Sequence, residues 1–386
     1  MNSSFFSTKK KLGILGGGQL GKMLLQCTRT WDIYTKVLDP DDEAPAQLSA
    51  NEFVVGSLRD FETVYNFGKD CDVLTIEIEH VNVEALKKLK DEGVIVHPDP
   101  AALEIIKDKG LQKNFFQIHE LPTSAFALYE DKKAVLDAID QKKLEIPFVQ
   151  KSRKDGYDGK GVHVVNKPSD LERLLDMPCL IENKVDLACE IAVIASRNEK
   201  GQIECFDAVE MDFVEGANML DLLLYPSGLN VAILEEAKQL ATILIEKLNI
   251  CGLLAVEFFI DQNGKLFINE VAPRPHNSGH QTIESTETSQ YEQHIRGVLN
   301  LPLGSTTIKI PSVMVNLLGA EGYTGEVYYE NIEECMAKPG VHVHIYGKKQ
   351  TKPFRKMGHV TVTDISLEQA KKTALWVKQQ LQVKSL

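Results

Sequence analysis

Two acidic residues lie in apolar segments of the sequence that are separated by only a short turn. Glu257 interrupts the apolar run 253–260, and Asn269 and Glu270 end the run that begins at residue 265. A buried carboxylate is costly unless it is paired or binds a metal ion. Carboxylate and amide oxygens are the hard ligands that suit magnesium shared with phosphates. A single strand glutamate would usually lie at an edge, but two of them on paired strands predict a metal site.

A glycine-rich segment, KSRKDGYDGKG at residues 151–161, lies about a hundred residues earlier. Three glycines within six residues let a hairpin tip approach phosphates through its backbone N–H groups. Lys151 ends the first strand, where a lysine can neutralise phosphate charge. The spacing is not that of a Walker A loop. A solvated turn is the alternative interpretation, and Asp158 and Lys160 within the segment favour a functional loop.

A loop of proline, glycine and polar residues, APRPHNSGH at residues 272–280, directly follows the predicted metal strand. Arg274 can stabilise negative charge that develops beside the metal. His276 and His280 can bind, orient or shuttle protons, whereas loop histidines exposed to water are the alternative. Proximity to Glu270 favours the functional interpretation.

Two further motifs point to anions. Gly16, Gly18 and Gly21 form GxGxxG between a strand and a helix, and Asp39 ends the next strand, which is the pattern of a dinucleotide site. A tight packing turn and a turn that faces a polar substrate are the other interpretations, and we prefer the last. The basic cluster 348–356 is either a phosphate clamp or a solvated turn.

The elements around these motifs indicate the architecture. The first hundred residues alternate strands (11–15, 35–39, 72–76, 94–96) with helices (19–28, 61–69, 83–90), which predicts a parallel sheet covered by helices, followed by a helical stretch at 101–118. Residues 121–211 indicate a smaller α+β unit whose hairpin, 148–151 and 162–165, carries the glycine loop. A helix at 231–248 precedes the hairpin 253–260 and 265–269. A chain of 386 residues has room for two or three domains.

Composition narrows the classes of function. The formal net charge is -12, which argues against general binding to nucleic acids or membrane surfaces. The seven cysteines are scattered without a CxxC pair, so we expect reduced thiols rather than disulfides or a zinc site. No apolar run approaches a membrane span, and the N-terminus lacks the apolar core of a signal peptide. We therefore expect a cytoplasmic protein.

Taken together, the segments GGGQLG, KSRKDGYDGKG, FINEVAPRPHNSGH, HIYGKK and FRKMGH resemble the ATP-grasp superfamily and, within it, the 5-(carboxyamino)imidazole ribonucleotide synthases. The resemblance implies a mixed α/β and α+β chain with the ATP-grasp fold. It implies an N-terminal Rossmann-like domain (1–120), a small lid domain with the glycine loop (121–211) and a C-terminal domain with the metal site (212–386). The sequence departs from the family pattern at Asp155 and Lys109, where glycine and arginine are usual.

The same resemblance implies roles for individual residues toward ATP and magnesium. Lys109 and Lys151 would contact the ATP phosphates, Glu190 would hold the ribose, and Asn269 would assist Glu257 and Glu270 in holding magnesium. The phosphate loop would comprise Gly156, Tyr157, Asp158, Gly159, Lys160 and Gly161, and the adenine hinge would comprise the backbone of Glu182, Asn183, Lys184 and Val185.

The implied reaction joins bicarbonate to aminoimidazole ribonucleotide (AIR) in purine biosynthesis, through carboxyphosphate formed from ATP. Arg274 and His276 would lie near bicarbonate, and Asp158 and Lys160 at the AIR end. The AIR phosphate would contact Lys348 and Arg355, and the further candidates for substrate binding are Gln19, Glu77, Asn277 and Ser278. The resemblance also implies a homodimer.

Three alternatives remain open at this point. The first is another ATP-grasp ligase, such as a formate-using glycinamide ribonucleotide transformylase or a biotin carboxylase. The second is a nucleotide-binding protein without catalysis, which would be marked by damage at Glu257, Glu270 or Lys151, and all three are intact. The third is an NAD dehydrogenase with its cofactor at the GxGxxG turn.

Overall fold

The N-terminal part of the chain is a parallel α/β unit. The computed structural model describes residues 5–6, 9–154, 156, 161–213 and 220–386. Five parallel strands take the order β3-β2-β1-β4-β5, which confirms the predicted parallel sheet. The strands are β1 (Lys11–Leu15), β2 (Tyr34–Asp39), β3 (Glu52–Val55), β4 (Val73–Ile76) and β5 (Ile95–His97). The helices are α1 (Gln19–Thr30), α2 (Phe61–Gly68), α3 (Val83–Asp91), α4 (Pro100–Lys107) and α5 (Lys109–Ile118).

The predicted helical stretch at 101–118 is confirmed, but it is divided at Asp108 into the two helices α4 and α5. Asp108 ends α4 and caps α5, because its carboxylate accepts from the N–H groups of Gly110 and Leu111 at 2.8 and 3.2 Å. Arg153 donates to both oxygens of the same carboxylate at 3.0 and 2.9 Å. The break therefore places Lys109 at the start of α5, beside the strand that leads to the glycine loop.

A small antiparallel sheet of order β6-β9-β7-β8 follows. Its elements are β6 (Phe126–Tyr129), α6 (Lys132–Asp140), β7 (Phe148–Ser152), β8 (Val162–Val165) and β9 (Cys179–Asn183). The pairing of β7 with β8 confirms the predicted hairpin. Phe148 and Val165 are fully buried beneath α6. We call this unit the lid.

The rest of the chain is built on a nine-stranded sheet with the path β15-β14-β10-β12-β13-β16-β20-β18, and β11 pairs with β10. The strands of this sheet are β10 (Leu187–Arg197), β11 (Ile203–Cys205), β12 (Val209–Phe213), β13 (Leu220–Tyr225), β14 (Gly252–Asp261), β15 (Leu266–Ala272), β16 (Ser312–Leu318), β18 (Val341–Ile345) and β20 (Lys356–Thr363). A separate three-stranded sheet of order β19-β17-β21 comprises β17 (Gly325–Glu330), β19 (Gln350–Thr351) and β21 (Gln382–Ser385). The helices are α7 (Val231–Lys247), α8 (Thr282–Ser285), α9 (Gln290–Val298), α10 (Ile332–Met336) and α11 (Leu367–Gln380). Short 3-10 turns span Gln47–Ser49, Pro168–Arg173 and Asn277–Gly279.

The membership of these sheets bears on the predicted domain boundaries. β10 and β12 precede or reach the predicted boundary at 211/212, yet both pair within the large sheet. We therefore propose that the lid ends after β9, near residue 183, rather than at 211. No helix within the described ranges is both long enough and apolar enough to cross a bilayer.

The main core lies under β14 and β15. Side chains from α4, α5 and α7 pack there against the large sheet, and the fully buried residues of this core include Phe116 of α5, Leu244 of α7 and Phe258 of β14. At 25 cal/mol per Å² of apolar surface, each contributes about 2 kcal/mol. This packing fixes the metal strand predicted from the sequence against the helix that begins at Lys109.

Buried histidines lie where the N-terminal unit meets the large sheet. His280 stacks on His359 with ring centroids 4.5 Å apart, and His359 stacks on His344 at 4.4 Å. His294 on α9 bonds through Nε2 to the hydroxyl of Thr75 on β4 at 2.9 Å. Burial lowers the pKa of His294 to about 3 and holds the pKa values of His280 and His359 well below the ordinary value.

We predict that the free energy of unfolding falls as the pH drops below about 6.5, because these histidines bind protons in the unfolded chain but remain neutral when buried in the folded protein. Each such histidine contributes a slope of about 1.4 kcal/mol per pH unit. His294→Gln keeps a partner for Thr75 but cannot titrate. Urea unfolding at pH 7, 6 and 5 should therefore show a shallower pH dependence for this variant, and His342→Gln, at an exposed histidine, is the matched control. Equal slopes for His294→Gln and wild type would contradict the argument.

Candidate active site

Paired strands bring the two predicted metal carboxylates together. Glu257 on β14 lies directly opposite Glu270 on β15, and a bulge follows Glu257. Burial and the charges of Glu270 and Glu190 raise the pKa of Glu257 to about 8. The pKa of Glu270 falls to about 2 because the Lys109 ammonium pairs with its carboxylate. Burial and Glu270 raise the pKa of Glu190 to about 7, although Lys151 opposes them. The three carboxyl groups of the cluster, Glu190, Glu257 and Glu270, are therefore not all fully ionised at neutral pH.

This donor set fits a magnesium ion. A cation would allow Glu257 to ionise beside Glu270, and Asn269 adds an amide oxygen on the same strand. Within the part of the chain that the structure describes, no three histidine, cysteine or acidic side chains enclose a metal site by themselves. Two carboxylates and an amide leave positions for phosphate oxygens, as expected for magnesium shared with a nucleotide.

The lysines of the site are held by carboxylates. Lys151 donates to the Asn269 amide oxygen at 2.8 Å and pairs with Oε2 of Glu182 at 2.6 Å. Lys113 pairs with the other oxygen, Oε1. Burial would raise the pKa of Glu182, but Lys151 and Lys113 lower it to about 2. Glu182 was predicted to act through its backbone in an adenine hinge, and the structure shows that its buried side chain also fixes two ammonium groups.

The other hinge and loop residues lie nearby on the lid. Asn183 and Lys184 are exposed and Val185 is half-buried after β9, and the Asn183 N–H donates to the Ala125 carbonyl at 2.9 Å. Gly161 adopts a φ of 79°, and its carbonyl accepts from the Ser152 N–H at 2.7 Å. Gly156 is half-buried. The predicted loop residues Tyr157, Asp158, Gly159 and Lys160 lie outside the described residues.

The loop after β15 is fixed from both sides. Arg274 pairs through Nε with Glu79 of the N-terminal unit at 2.8 Å. His276 lies 3.6 Å from Glu257, and its Nδ1 bonds to the Ser278 hydroxyl at 2.9 Å. Burial lowers the pKa of His276 to about 4, so its imidazole is neutral. Ser278 is buried and orients His276, whereas Asn277 is half-buried.

His280 does not face this site. Its side chain is buried in the histidine stack, where Nδ1 bonds to the Tyr291 hydroxyl at 2.6 Å. The sequence interpretation of His280 as a residue that binds or shuttles protons at the metal loop was therefore wrong. Its role is to pack the end of that loop against α9 and β20.

The GxGxxG turn holds an anion that the protein itself supplies. Glu77, at the end of β4, accepts from the N–H groups of Leu20 and Gly21 at the start of α1. Burial raises the pKa of Glu77 to about 7. A Cβ on Gly16 or Gly18 would lie 2.6 Å from a Glu77 carboxylate oxygen, which explains the glycines.

Asp39 is also engaged within this turn. Its Oδ2 accepts from the Gly17 N–H at 2.6 Å, so it is not free in the way that a ribose ligand must be. Gln19 begins α1 and is half-buried. The geometry removes the support for a dinucleotide site.

A cavity of about 240 Å³ lies between this turn and the basic C-terminal segment. It is lined by Gly18, Asp39, Asp41, Glu43, Ala44, Pro45, Lys348, Lys349, Gln350 and Arg355. Lys348 and Arg355 follow Gly18 by 330 and 337 residues in the sequence, yet they line one cavity with it. The Lys348 ammonium donates to the Lys356 carbonyl at 2.8 Å, and Arg355 to the Gln350 carbonyl at 2.6 Å.

Two residues at the site were missed in the sequence. Lys113 is four residues after Lys109 on the same helix, a spacing that places both on one face. Glu79 is two residues after Glu77 beyond the end of β4, and the alternation in TIEIEH was the available signal. Neither pattern could identify its partner, because Glu182 and Arg274 are distant in the sequence.

We predict that Gly18→Ala destabilises the protein, because the added methyl group would meet the Glu77 carboxylate. Overpacking of this kind costs about 1–3 kcal/mol. Gly228→Ala is the control, since a Cβ there has no atom within 4 Å. Differential scanning calorimetry should show a lower Tm for Gly18→Ala alone, and an unchanged Tm would show that Glu77 does not occupy the turn.

Three family descriptions match the chain. They are the "Ribonucleotide synthetase preATP-grasp domain" over residues 9–107, the "ATP-grasp domain" over 114–291 and the "Phosphoribosylaminoimidazole carboxylase C-terminal domain" over 312–373. The order of the three agrees with the N-terminal parallel unit, the lid with the metal strands, and the C-terminal strands. The ATP-grasp fold expected from the resemblance is thereby confirmed.

Among relatives, the N5-carboxyaminoimidazole ribonucleotide synthase of Bacillus subtilis is 34% identical over 91% of this chain and 90% of its own length. The chloroplastic phosphoribosylaminoimidazole carboxylase of Vigna aconitifolia is 37% identical over 92% of this chain. The present chain spans only 64% of that longer relative.

Solved structures agree closely with this fold. The N5-carboxyaminoimidazole ribonucleotide synthetase of Thermotoga maritima is 42% identical with a TM-score of 0.90, covering 98% of this chain and 100% of that one. The synthase of Aspergillus clavatus, in complex with ADP and 5-aminoimidazole ribonucleotide, is 31% identical with a TM-score of 0.86, covering 96% and 98%. The chain therefore belongs to the N5-carboxyaminoimidazole ribonucleotide synthases, a family of ATP-grasp ligases of purine biosynthesis.

Proposed function

We propose that this chain uses ATP to activate bicarbonate as carboxyphosphate and transfers the carboxyl group to the exocyclic amine of AIR. A bicarbonate oxygen attacks the γ-phosphorus and ADP leaves. The amine then attacks the carboxyl carbon, and phosphate and a proton leave. Phosphoryl transfer of this kind depends mainly on positioning and on neutralisation of charge.

The observation that carries the proposal is the convergence of Lys109 and Lys151 with Glu257 and Glu270. The Lys109 ammonium pairs with the Glu270 carboxylate, and the Lys151 ammonium donates to the Asn269 amide oxygen at 2.8 Å, both on β15. A triphosphate that enters here meets both lysines, and a magnesium ion would be held by Glu257, Glu270 and Asn269. Magnesium, when bound, neutralises phosphate charge. The carboxyaminoimidazole ribonucleotide synthase of Aspergillus clavatus was solved in complex with ATP, which supports nucleotide binding by this chain.

The chemistry proposed for bicarbonate rests on Arg274 and His276. Arg274 pairs with Glu79 through Nε and donates to the Pro275 carbonyl from Nη1 at 2.9 Å, and its fixed positive charge would stabilise an oxyanion. His276 is neutral, and its Nδ1 accepts from the Ser278 N–H at 3.3 Å, so its Nε2 carries the proton and can donate it to an oxyanion. Both residues adjoin the metal carboxylates, where carboxyphosphate would form.

The proposed AIR site is the cavity between the GxGxxG turn and the basic segment. Lys348 and Arg355 would hold the 5'-phosphate, and Gln19, Asn277 and the loop residues Asp158 and Lys160 remain candidates for the other groups. The positively charged side chains that line the cavity belong to the C-terminal segment, and the N-terminal turn forms part of its wall. A ligand with a phosphate at one end and an amine near Arg274 suits this arrangement.

We predict that Glu270→Ala lowers the rate of ADP release with AIR and bicarbonate by at least about a hundredfold, because Lys109 loses its partner and the metal strand loses a ligand. Glu330→Ala, at a surface ion pair with Lys384, is the control and should keep the wild-type rate. Near-normal turnover of Glu270→Ala would exclude the metal assignment.

We also predict substrate selectivity within the superfamily. ADP release should require AIR together with bicarbonate, and formate with glycinamide ribonucleotide should give only the background rate. Isotope transfer from labelled bicarbonate to the nucleotide product provides the direct measurement. Turnover with formate would instead favour the transformylase alternative.

Three expectations remain predictions from the resemblance. They are a homodimer, a cytoplasmic location and contact of the glycine loop with the ATP phosphates. Sedimentation equilibrium tests the first of these. The relative from Vigna is described as chloroplastic, so the location has to be measured for this chain itself.

A further inference from the structure

Lys113 is a buried lysine for which the proposed reaction so far provides no role. Only 3% of it is exposed, on α5, one turn after Lys109. Its ammonium group pairs with Oε1 of Glu182 and donates to the Thr123 hydroxyl at 2.5 Å. It also lies 3.3 Å from the Ser124 hydroxyl and 3.3 Å from the Ile268 carbonyl oxygen. Burying such a cation is costly unless its surroundings are arranged to receive it.

The acceptors around Lys113 come from three separate parts of the chain. Glu182 belongs to β9 of the lid, and Ile268 belongs to β15, one residue before Asn269. Thr123 and Ser124 lie in the segment that connects α5 to the lid, and the Thr123 hydroxyl itself donates to the Ile268 carbonyl at 2.9 Å. Lys113 therefore joins the lid to the metal strand at the point where the chain passes between them.

Lys113 also affects the electrostatic interaction between Glu182 and Lys151. Glu182 divides its two oxygens, since Oε1 receives Lys113 and the Ser124 hydroxyl at 3.0 Å, while Oε2 receives Lys151 at 2.6 Å. Burial lowers the pKa of Lys113 to about 8, and Glu182 opposes that shift. Without Lys113, the whole negative charge of Glu182 would act on Lys151 alone. The Lys151 ammonium would then bind Glu182 more strongly and be less available to a phosphate. The Glu182 side chain would also lose the contact that fixes its position, and Lys151 would move with it.

We propose that Lys113 is a positioning residue for the nucleotide reaction. It holds Glu182, and through Glu182 it sets the place and the availability of the Lys151 ammonium that meets the phosphates. This inference rests on the proposed function, because it assumes that Lys151 contacts ATP. Lys113 itself touches neither the phosphates nor the metal ligands, and its effect reaches the phosphates through the Glu182 carboxylate.

A purely structural role makes different predictions. If Lys113 only filled the junction between lid and large sheet, Lys113→Met would lower stability and leave nucleotide binding by the folded protein unchanged. If it positions Lys151, the loss should appear in affinity for phosphorylated nucleotides and not for adenosine, whose contacts would be those of the hinge. Lys113→Arg should restore affinity, because a guanidinium can still donate to Glu182 and Ser124.

The experiment measures the Kd values of ATP, ADP and adenosine by titration calorimetry for wild type, Lys113→Met and Lys113→Arg. Lys113→Met should weaken ATP and ADP by about tenfold or more, the effect of one charged hydrogen bond, with adenosine changed less than about twofold. Lys36→Met is the matched control. Lys36 is 6% exposed and pairs with Asp70 at 2.9 Å, but it lies on β2, outside the site.

A double-mutant cycle with Glu182→Gln separates the route of the effect. If Lys113 acts through Glu182, Lys113→Met should cause no further loss of ATP affinity in the Glu182→Gln background. Additive losses would overturn the proposal, as would ATP and ADP affinities of Lys113→Met equal to wild type at a temperature where both are folded. Failure of wild type itself to bind ATP would instead overturn the proposed function.

Discussion

The pairing of β14 with β15 is the constraint on which the site depends. It sets Glu257 against Glu270 in a half-buried position, where two adjacent negative charges require a cation to persist together. Two lysines from other elements supply this positive charge, Lys109 from α5 and Lys151 from β7. The hydrophobic packing of α4, α5 and α7 against these strands holds the lysines in range, so the core and the charge balance depend on each other.

The same balance explains why the site is built across domains. Lys109 of α5 pairs with Glu270 of the large sheet, Lys151 of the lid donates to Asn269 of the large sheet, and the Asp108–Arg153 pair fastens α5 to the lid. Arg274 is likewise fixed by Glu79 of the N-terminal unit. A nucleotide with its metal can replace these internal pairs, because it offers phosphates to the lysines and a cation to the carboxylates. These ion pairs therefore indicate which side chains would contact the nucleotide and its metal ion.

The sequence was sufficient for local structure and for residues that are close in the chain. The parallel unit, the glycine hairpin and the β14–β15 hairpin follow from periodicity, and Glu257 with Glu270 follows from that hairpin. The break at Asp108 was missed, because a capping aspartate inside a continuous helical pattern is decided by its partner Arg153. The inward side chain of Glu182 was missed for the same reason, since Lys113 and Lys151 reach it only through tertiary packing. His280 was misplaced because a loop motif does not show which of its members turns into the core.

The Glu77 carboxylate at the start of α1 has a consequence for how such motifs evolve. A glycine turn before a helix commonly binds a phosphate group through its backbone N–H groups. In this protein the Glu77 side chain occupies that position. Gly16 and Gly18 are needed here because a side chain at either position would collide with the Glu77 carboxylate, whereas a side chain at Gly21 would collide with the Gly16 carbonyl. A lineage could convert one use into the other by a single replacement of that glutamate, with the backbone of the turn already in the required shape.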